Sequence, residues 1–349
     1  MSKKIINDEK IDNKEFNKLN LCLKNLTLLR NIDNSFCFCL FDNSFLAFNY
    51  NDISYLIYAT NYKSIISYNI DDKVIMTEIK KAHEHNITNF RCSISENNNK
   101  CIIMSISATG RHIKIWNLLN WECILSLFPI YDEGLICSSC FLKDNNNHEY
   151  IISCCSSEES EIKIYDFSGN YIKSLHDSKQ KDFFIDYIKD KKNSSIYIIT
   201  GNYGYIKSYD YNKNKIYHKY KDNDGNSKHC CIKFNLGKDK VKLIDSCWGD
   251  DFIRIWDFHL GTIITKIKTN GNNIKSLCIY NDVFIFVSCD KHTIKLIDII
   301  NKNIVKTFNI HNNWVCTIYK LNSEKYGEFL ISGGLGIDEK IKIWYFNFS

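Results

Sequence analysis

The sequence predicts an all-β fold, a seven-bladed β-propeller whose last blade is completed by a strand from the start of the chain. One observation is a phrase of alternating apolar and polar residues, such as HIKIWNL from His112, which recurs seven times along the 349 residues. A second is that a run ending in small or polar residues precedes each phrase. The anchor residues of the phrases lie between 41 and 49 residues apart, by subtraction of their numbers, and are Tyr68, Trp116, Tyr165, Tyr209, Trp256, Ile297 and Trp344. A period of this length indicates a repeat architecture.

Each repeat unit is predicted to hold four strands. In HIKIWNL, Ile113 and Ile115 point to one side while Lys114 and Trp116 point to the other, which is the two-residue period of a strand. Further apolar or alternating stretches lie upstream of each unit's small-residue run and, except in the last unit, after its phrase. Seven units of four strands bury one another's apolar faces when they close into a ring, which is the propeller architecture.

The last unit is one strand short. Its phrase, IKIWYFNFS from Ile341, has no strand after it, whereas the alternating run LNLCLKNLTLL (Leu19–Leu29) is left over before the first complete blade begins near Phe36. We expect this run to pair outside IKIWYF, because that pairing closes the ring and removes an exposed edge. The predicted organisation is a short polar segment, 1–18, and one propeller, 19–349, with 19–29 as the closing strand and blades ending near residues 79, 128, 176, 220, 268, 308 and 349.

These repeats resemble those of the WD-repeat β-propellers from about residue 19 to the end. A unit of that family opens with Gly-His, carries Ser in its second strand and Asp in the following turn, and ends its third strand with Trp-Asp. Trp256 and Asp257 reproduce the final pair, while His83 and His311 stand at the histidine position.

The resemblance implies a buried network of His, Ser, Asp and Trp side chains that rigidifies a blade, because an unpaired buried polar group is costly. The last blade matches this pattern best, whereas Gly110 stands where Asp is expected in the second blade and leaves the network there open. We interpret the matching residues as structural rather than catalytic, since their placement follows the repeat. They are His311, Ser332, Asp338, Trp344, His83, Trp116, Asp250 and Trp256.

Composition limits the partners and the compartment. The 45 Lys and Arg residues nearly balance 40 Asp and Glu residues, and only four residues are arginines, so the guanidinium forks favoured by nucleic-acid binders are scarce. The N-terminal stretch lacks the apolar core of a secretory signal, and the most apolar stretch, 36–48, is too short to span a bilayer. We expect an intracellular, cytoplasmic protein, with the nucleus as the alternative.

The 16 cysteines are interpreted as buried thiols. Most lie in apolar, β-type runs, where free Cys behaves as a small hydrophobe. Cys137 and Cys140 have the spacing of half a zinc site, but no matching second pair lies nearby in the sequence. We therefore expect neither a metal site nor a cofactor.

The sequence shows no nucleophile elbow, phosphate loop or zinc-protease pattern, so the leading hypothesis is a non-catalytic scaffold. The resemblance implies that proteins or peptides of a multiprotein assembly bind the face formed by the loops between blades and between second and third strands. The alternative, an anionic ligand such as a phosphoinositide or nucleic acid, is less favoured because the Phe-Arg-Arg-Gly motif of similar lipid-binding propellers is missing. Burial between blades is the alternative for each aromatic candidate. The candidates expected to be exposed on that face are Trp314, Tyr203, Trp248, Arg111, Thr88, Thr109, Asn202 and Asp290.

Overall fold

The described residues form strands and turns without a helix. The computed structural model describes residues 23–32, 44–60, 63–95, 99–131, 134–157, 161–175, 181–190, 194–222, 228–236, 241–271, 273–289, 292–334 and 340–348. The strands are β1 (Leu23–Ile32), β2 (Leu46–Tyr50), β3 (Ile53–Thr60), β4 (Ser64–Asn69), β5 (Val74–Ile79), β6 (Asn89–Ser95), β7 (Lys100–Ser107), β8 (His112–Asn117), β9 (Cys123–Leu127), β10 (Ile136–Lys143), β11 (Glu149–Cys155), β12 (Ile162–Asp166), β13 (Tyr171–Leu175), β14 (Phe184–Lys189), β15 (Ile196–Gly201), β16 (Tyr205–Asp210), β17 (Lys215–Lys221), β18 (Lys228–Leu236), β19 (Val241–Trp248), β20 (Phe252–Asp257), β21 (Thr262–Lys268), β22 (Leu277–Ile279), β23 (Phe284–Cys289), β24 (Thr293–Asp298), β25 (Asn303–Asn309), β26 (Val315–Ser323), β27 (Gly327–Gly334) and β28 (Ile341–Phe348).

These strands form seven four-stranded antiparallel sheets arranged in a ring, which confirms the predicted seven-bladed propeller. Six blades consist of four consecutive strands each: blade 1 is β2–β5, blade 2 is β6–β9, blade 3 is β10–β13, blade 4 is β14–β17, blade 5 is β18–β21 and blade 6 is β22–β25. Blade 7 combines β26, β27 and β28 with β1 on the outside.

The ring is closed by the N-terminal strand, as the sequence predicts. Strand β1 pairs antiparallel with β28, with Leu28 opposite Trp344 and Ile32 opposite Ile341. The strand continues to Ile32 rather than ending at residue 29, because the Ile32 side chain is buried in the core between blades 7 and 1. Residues 19–22 and the predicted start of blade 1 near residue 36 lie outside the described residues.

The apolar core is divided among the junctions between blades. One cluster joins Ile343 of blade 7 to Leu56 of blade 1, and the next joins Ile57 of blade 1 to Trp116 of blade 2. Every other neighbouring pair of blades shares a cluster of this kind. Each buried aliphatic side chain contributes about 1.5–3 kcal/mol, so the blades stabilise one another through these faces. Within the described segments, no helix could cross a membrane.

Candidate functional site

One side of the ring carries two sets of connections. Because neighbouring strands are antiparallel, the turn between the second and third strands of a blade lies on the same side as the connection to the next blade. We call this side the loop face. Its described segments include 108–111 in blade 2, 128–131 before blade 3, 202–204 in blade 4 and 310–314 before blade 7.

Four of the predicted partner-binding residues lie on the loop face with accessible surface. Tyr203 is 48% exposed, and its ring meets Phe183 edge-on at 4.9 Å between centroids. Thr109 is exposed in the turn that also holds Arg111, whose Nη1 donates to the Tyr131 carbonyl at 3.2 Å. Trp314 is half-buried, with the ammonium of Lys275 at 4.4 Å from its ring centroid. These contacts preorganise the side chains.

The expectation of exposure is wrong for Thr88 and Asn202. Thr88 is 8% exposed, and its backbone N–H and hydroxyl both donate to the Ile106 carbonyl. Asn202 is fully buried, and its amide donates to Asp182 at 2.5 Å. Both are polar residues at strand ends that donate hydrogen bonds inside the protein, so their place in the repeat did not reveal their burial. Asp290 and the Trp248 side chain lie outside the described residues.

Sequence reasoning missed an apolar surface on the same face. Phe128 and Ile130 are each 63% exposed in the connection between blades 2 and 3, and Leu135, just before β10, is 42% exposed. The Phe128 ring stacks on His112, with centroids 4.0 Å apart. Arg111 reaches the same connection through its bond to Tyr131. The sequence signal that could have revealed these exposed residues is the apolar run in LFPIYDEGLI, because a connecting loop is ordinarily polar.

The predicted polar network forms in blades 7 and 2. In blade 7, the Ser332 hydroxyl lies 2.8 Å from His311 Nε2 and accepts a hydrogen bond from Trp344 Nε1 at 2.8 Å. In blade 2, Ser105 makes the same two contacts, at 2.7 Å with His83 Nε2 and at 2.8 Å with Trp116 Nε1. Asp338 lies outside the described residues.

The His–Ser–Trp contact of blade 2 forms although Gly110 stands where the repeat pattern expects Asp. In the described structure, the buried Nδ1 of His83 has no hydrogen-bond partner, and Gly110 has no side chain to supply an acceptor. Burial, together with the nearby His112 and Lys114, lowers the pKa of His83 to about 3, and burial is the largest of these causes. The ring is therefore neutral at physiological pH.

Blade 5 carries a charged cluster in place of the predicted network, so the network prediction for Asp250 and Trp256 is wrong. Asp250 bonds to the guanidinium of Arg254, and Trp256 Nε1 has no hydrogen-bond partner within the described residues. The physical reason is that Asp245, which lies opposite Arg254, carries a carboxylate where the equivalent residues of blades 2 and 7 carry a hydroxyl. We define the charged cluster as Asp222, His229, Asp245, Cys247, Asp250, Arg254 and Lys266.

Arg254 holds the charged cluster together. The side chain is 2% exposed, and Nε donates to Asp222 at 2.7 Å while Nη1 lies 3.3 Å from the Cys247 sulfur. Burial alone lowers the pKa of this guanidinium, but its bond to Asp250 and the fields of Cys247 and Asp245 carry the pKa above its ordinary value. Arg254 is therefore a permanent buried cation.

A basic residue recurs in other blades at the third-strand position that Arg254 occupies in blade 5. Only the structure shows which group accepts its hydrogen bond. Lys114 Nζ donates to the Ala82 carbonyl at 2.7 Å, and Lys342 Nζ donates to the Ile310 carbonyl at 2.9 Å. Each ammonium fixes the loop that enters its own blade. The series is Lys114, Lys163, Lys207, Arg254, Lys295 and Lys342.

Most of the cysteines whose side chains are described are buried. Comparison with known proteins finds no protein-family model that matches the chain and no curated protein with significant sequence similarity to it.

Proposed function

We propose that this propeller is a WD-repeat protein that acts as a non-catalytic scaffold and binds a protein or peptide on its loop face. The WD-repeat assignment is supported by the seven-bladed ring and by the His–Ser–Trp contacts of blades 2 and 7. A rigid ring presents loops from several blades to one partner, which suits a role in assembling complexes.

The observation that carries this proposal is the exposed apolar surface formed by Phe128, Ile130 and Leu135 beside Arg111. Large apolar side chains grouped on a soluble domain mark interaction sites, and aromatic residues and Arg are the favoured anchors of interfaces. Phe128 stacks on His112, so binding would cost little side-chain entropy. The expected occupant is a peptide or loop that offers large apolar side chains.

The anionic-ligand alternative has less support. Arg254 is buried among carboxylates, and Arg111 already donates to a backbone carbonyl. A ligand recognised mainly by its phosphates needs accessible cations, preferably guanidinium groups.

A paired set of surface variants tests the proposal. Phe128→Ser with Ile130→Ser removes the apolar surface, while Ile263→Ser with Ile264→Ser removes similarly exposed residues from the outer strand of blade 5. Proximity labelling in the native cell should show specific protein partners of the wild type reduced about 10-fold for the first variant and unchanged for the second. Their melting temperatures should match.

The proposal fails if both variants label the same partners as the wild type. It also fails if the purified protein binds anionic vesicles or nucleic acid with a steep salt dependence and has no selective protein partner.

A further inference from the structure

Blade 5 contains a buried set of potential metal ligands inside the charged cluster. We propose that His229 on β18, together with Asp245 and Cys247 on β19, binds a divalent transition-metal ion such as Zn²⁺. The ligand atoms of these three side chains lie within 4.8 Å of one another. The three residues are 2%, 0% and 0% exposed, respectively. A mixed nitrogen, oxygen and sulfur set suits zinc and related ions, whereas Mg²⁺ and Ca²⁺ prefer oxygen ligands alone.

The geometry converges on one nitrogen atom. His229 Nδ1 lies 2.9 and 3.0 Å from the two oxygens of Asp245 and 3.2 Å from the Cys247 sulfur. One ring nitrogen carries either one hydrogen or one lone pair, so it cannot make a full hydrogen bond with both partners. Usual zinc bond lengths in a tetrahedron separate such donor atoms by roughly 3.3–3.6 Å. The distances from His229 Nδ1 to Asp245 and Cys247 would therefore have to lengthen by only a few tenths of an ångström for an ion to enter between the three ligands.

The carboxylate of Asp245 is an exception within the repeat. Asp245 pairs with Arg254, and the residues paired with the equivalent Lys114 and Lys295 are Ser105 and Val287. Blades 2 and 6 thus form without a carboxylate at this position. Burying a carboxylate costs several kcal/mol unless it is compensated, and the cation beside Asp245, Arg254, is shared with Asp222 and Asp250.

The charges of the cluster favour a divalent cation. Among the described side chains of the cluster, three carboxylates, those of Asp222, Asp245 and Asp250, face two cations, Arg254 and Lys266, which leaves one net negative charge when His229 is neutral and Cys247 is a thiol. Metal binding releases the thiol proton to solvent, and the resulting second negative charge is then cancelled by a divalent ion. Without a metal, the hydrogen bond between His229 and Asp245 is the competing arrangement.

Arg254 would support a thiolate ligand. Its Nη1 lies 3.3 Å from the Cys247 sulfur, while Asp222 and Asp250 bind the other guanidinium nitrogens and offset its charge. Donors of this kind orient and tune metal ligands. Three protein ligands leave one tetrahedral position for water, and the burial of all three side chains suits an ion that stabilises the blade.

The test uses the full-length protein, stripped with a chelator and titrated with Co²⁺. We expect binding to saturate at about one equivalent, with a sulfur-to-cobalt charge-transfer band and the visible bands typical of tetrahedral cobalt, all displaced by Zn²⁺. Adding Zn²⁺ to the stripped protein should also raise its melting temperature, because the ion binds the folded state.

Blade 6 offers a matched control. Cys289 is the buried equivalent of Cys247 in blade 6. It lies two residues after Val287, whereas Cys247 lies two residues after Asp245. Cys247→Ser and His229→Gln should abolish the charge-transfer band and the zinc-dependent melting shift, whereas Cys289→Ser should keep both.

Two results would overturn the proposal. One is a wild-type titration without a charge-transfer band at one equivalent, and the other is a band that survives in Cys247→Ser, which would show adventitious binding by other cysteines. If Cys247→Ser does not fold, X-ray absorption of the zinc-loaded wild type decides. A shell of one sulfur with nitrogen and oxygen supports the site, and a shell without sulfur or with several sulfurs refutes it.

Discussion

In blade 2 the residue that pairs with the basic position of the third strand is Ser105, and in blade 5 it is Asp245. Ser105 connects one His and one Trp through a single hydroxyl, and no charged side chain takes part in those two bonds. Asp245 instead contacts His229 and lies in a cluster with Cys247 and Arg254. The guanidinium of Arg254 also binds two further carboxylates. The blades share their backbone pairing but stabilise their loop-face ends with different chemistry.

A blade avoids unpaired buried polar groups when its polar positions change together. Blade 6 gives a third solution, because Val287 replaces the serine and Ile297 replaces the tryptophan, so neither leaves a polar group unpaired. In blade 5 only part of the set changed, and the buried Trp256 Nε1 has no hydrogen-bond partner among the described residues. Removing one member of a buried polar pair costs more than replacing both.

The largest effect should come from the arginine that holds the charged cluster. Arg254→Met leaves Asp222, Asp245 and Asp250 without their shared cation, and we expect the free energy of unfolding to fall by about 3–5 kcal/mol. The matched change Lys114→Met in blade 2 removes a bond to a backbone carbonyl and a cation–π contact with Trp116 but strands no carboxylate, and should cost about 1 kcal/mol. Denaturant unfolding of both variants measures the difference. Equal losses would show that the two blades do not differ as described.

A smaller effect is expected from the hydroxyl of blade 2. Ser105→Ala leaves His83 Nε2 and Trp116 Nε1 buried without their partner, so the free energy of unfolding should fall by about 1–3 kcal/mol. Ser332→Ala in blade 7 removes the same pair of contacts and serves as the matched variant. An unchanged unfolding midpoint in both variants would contradict a structural role for these contacts.

The pH dependence of stability should reveal the neutral histidine of blade 2. The pKa of His83 is about 3 when folded and 6.5 when unfolded, so the unfolded chain binds the proton more tightly and stability falls as the pH drops below 6.5. This contribution is about 2 kcal/mol between pH 6.5 and pH 5.

His112 adds to the same slope, because burial and Lys114 lower its pKa to about 4. His83→Gln should therefore flatten the slope, and His83→Gln with His112→Gln should flatten it further. Unfolding curves at several pH values measure this. A slope that persists undiminished in the double variant would assign the effect to other groups.

The smallest effect should come from restoring the missing acceptor. Gly110→Asp supplies a carboxylate at the position where the repeat pattern expects the acceptor for His83 Nδ1, while Gly110→Ala adds the Cβ alone, which would meet Ser107 Oγ at 2.9 Å and His85 Cδ2 at 3.1 Å. We expect Gly110→Asp to be about 1 kcal/mol more stable than Gly110→Ala, and to raise the pKa of His83 measured by NMR. Equal stabilities and an unmoved pKa would show that the carboxylate does not reach the ring.

The sequence by itself determined the architecture. The seven anchors from Tyr68 to Trp344 and the alternation around them predicted four-stranded blades, because a two-residue period and buried faces leave few other arrangements. The unpaired run before blade 1 also predicted the closure of β28 by β1. The contacts of His311 and Ser332 followed from their fixed places in the repeat.

Only the tertiary structure decided which polar residues are buried and what surrounds them. Thr88 and Asn202 stand at loop positions in the sequence, yet the neighbouring strands and loops enclose them. His229 lies 16 residues from Asp245, and no spacing motif connects the two, because β18 and β19 bring them together only after pairing. Strand alternation records the side of a sheet on which a residue lies. The partner that it meets there depends on a neighbouring strand or blade, and for this reason the charged cluster of blade 5 could not be foreseen.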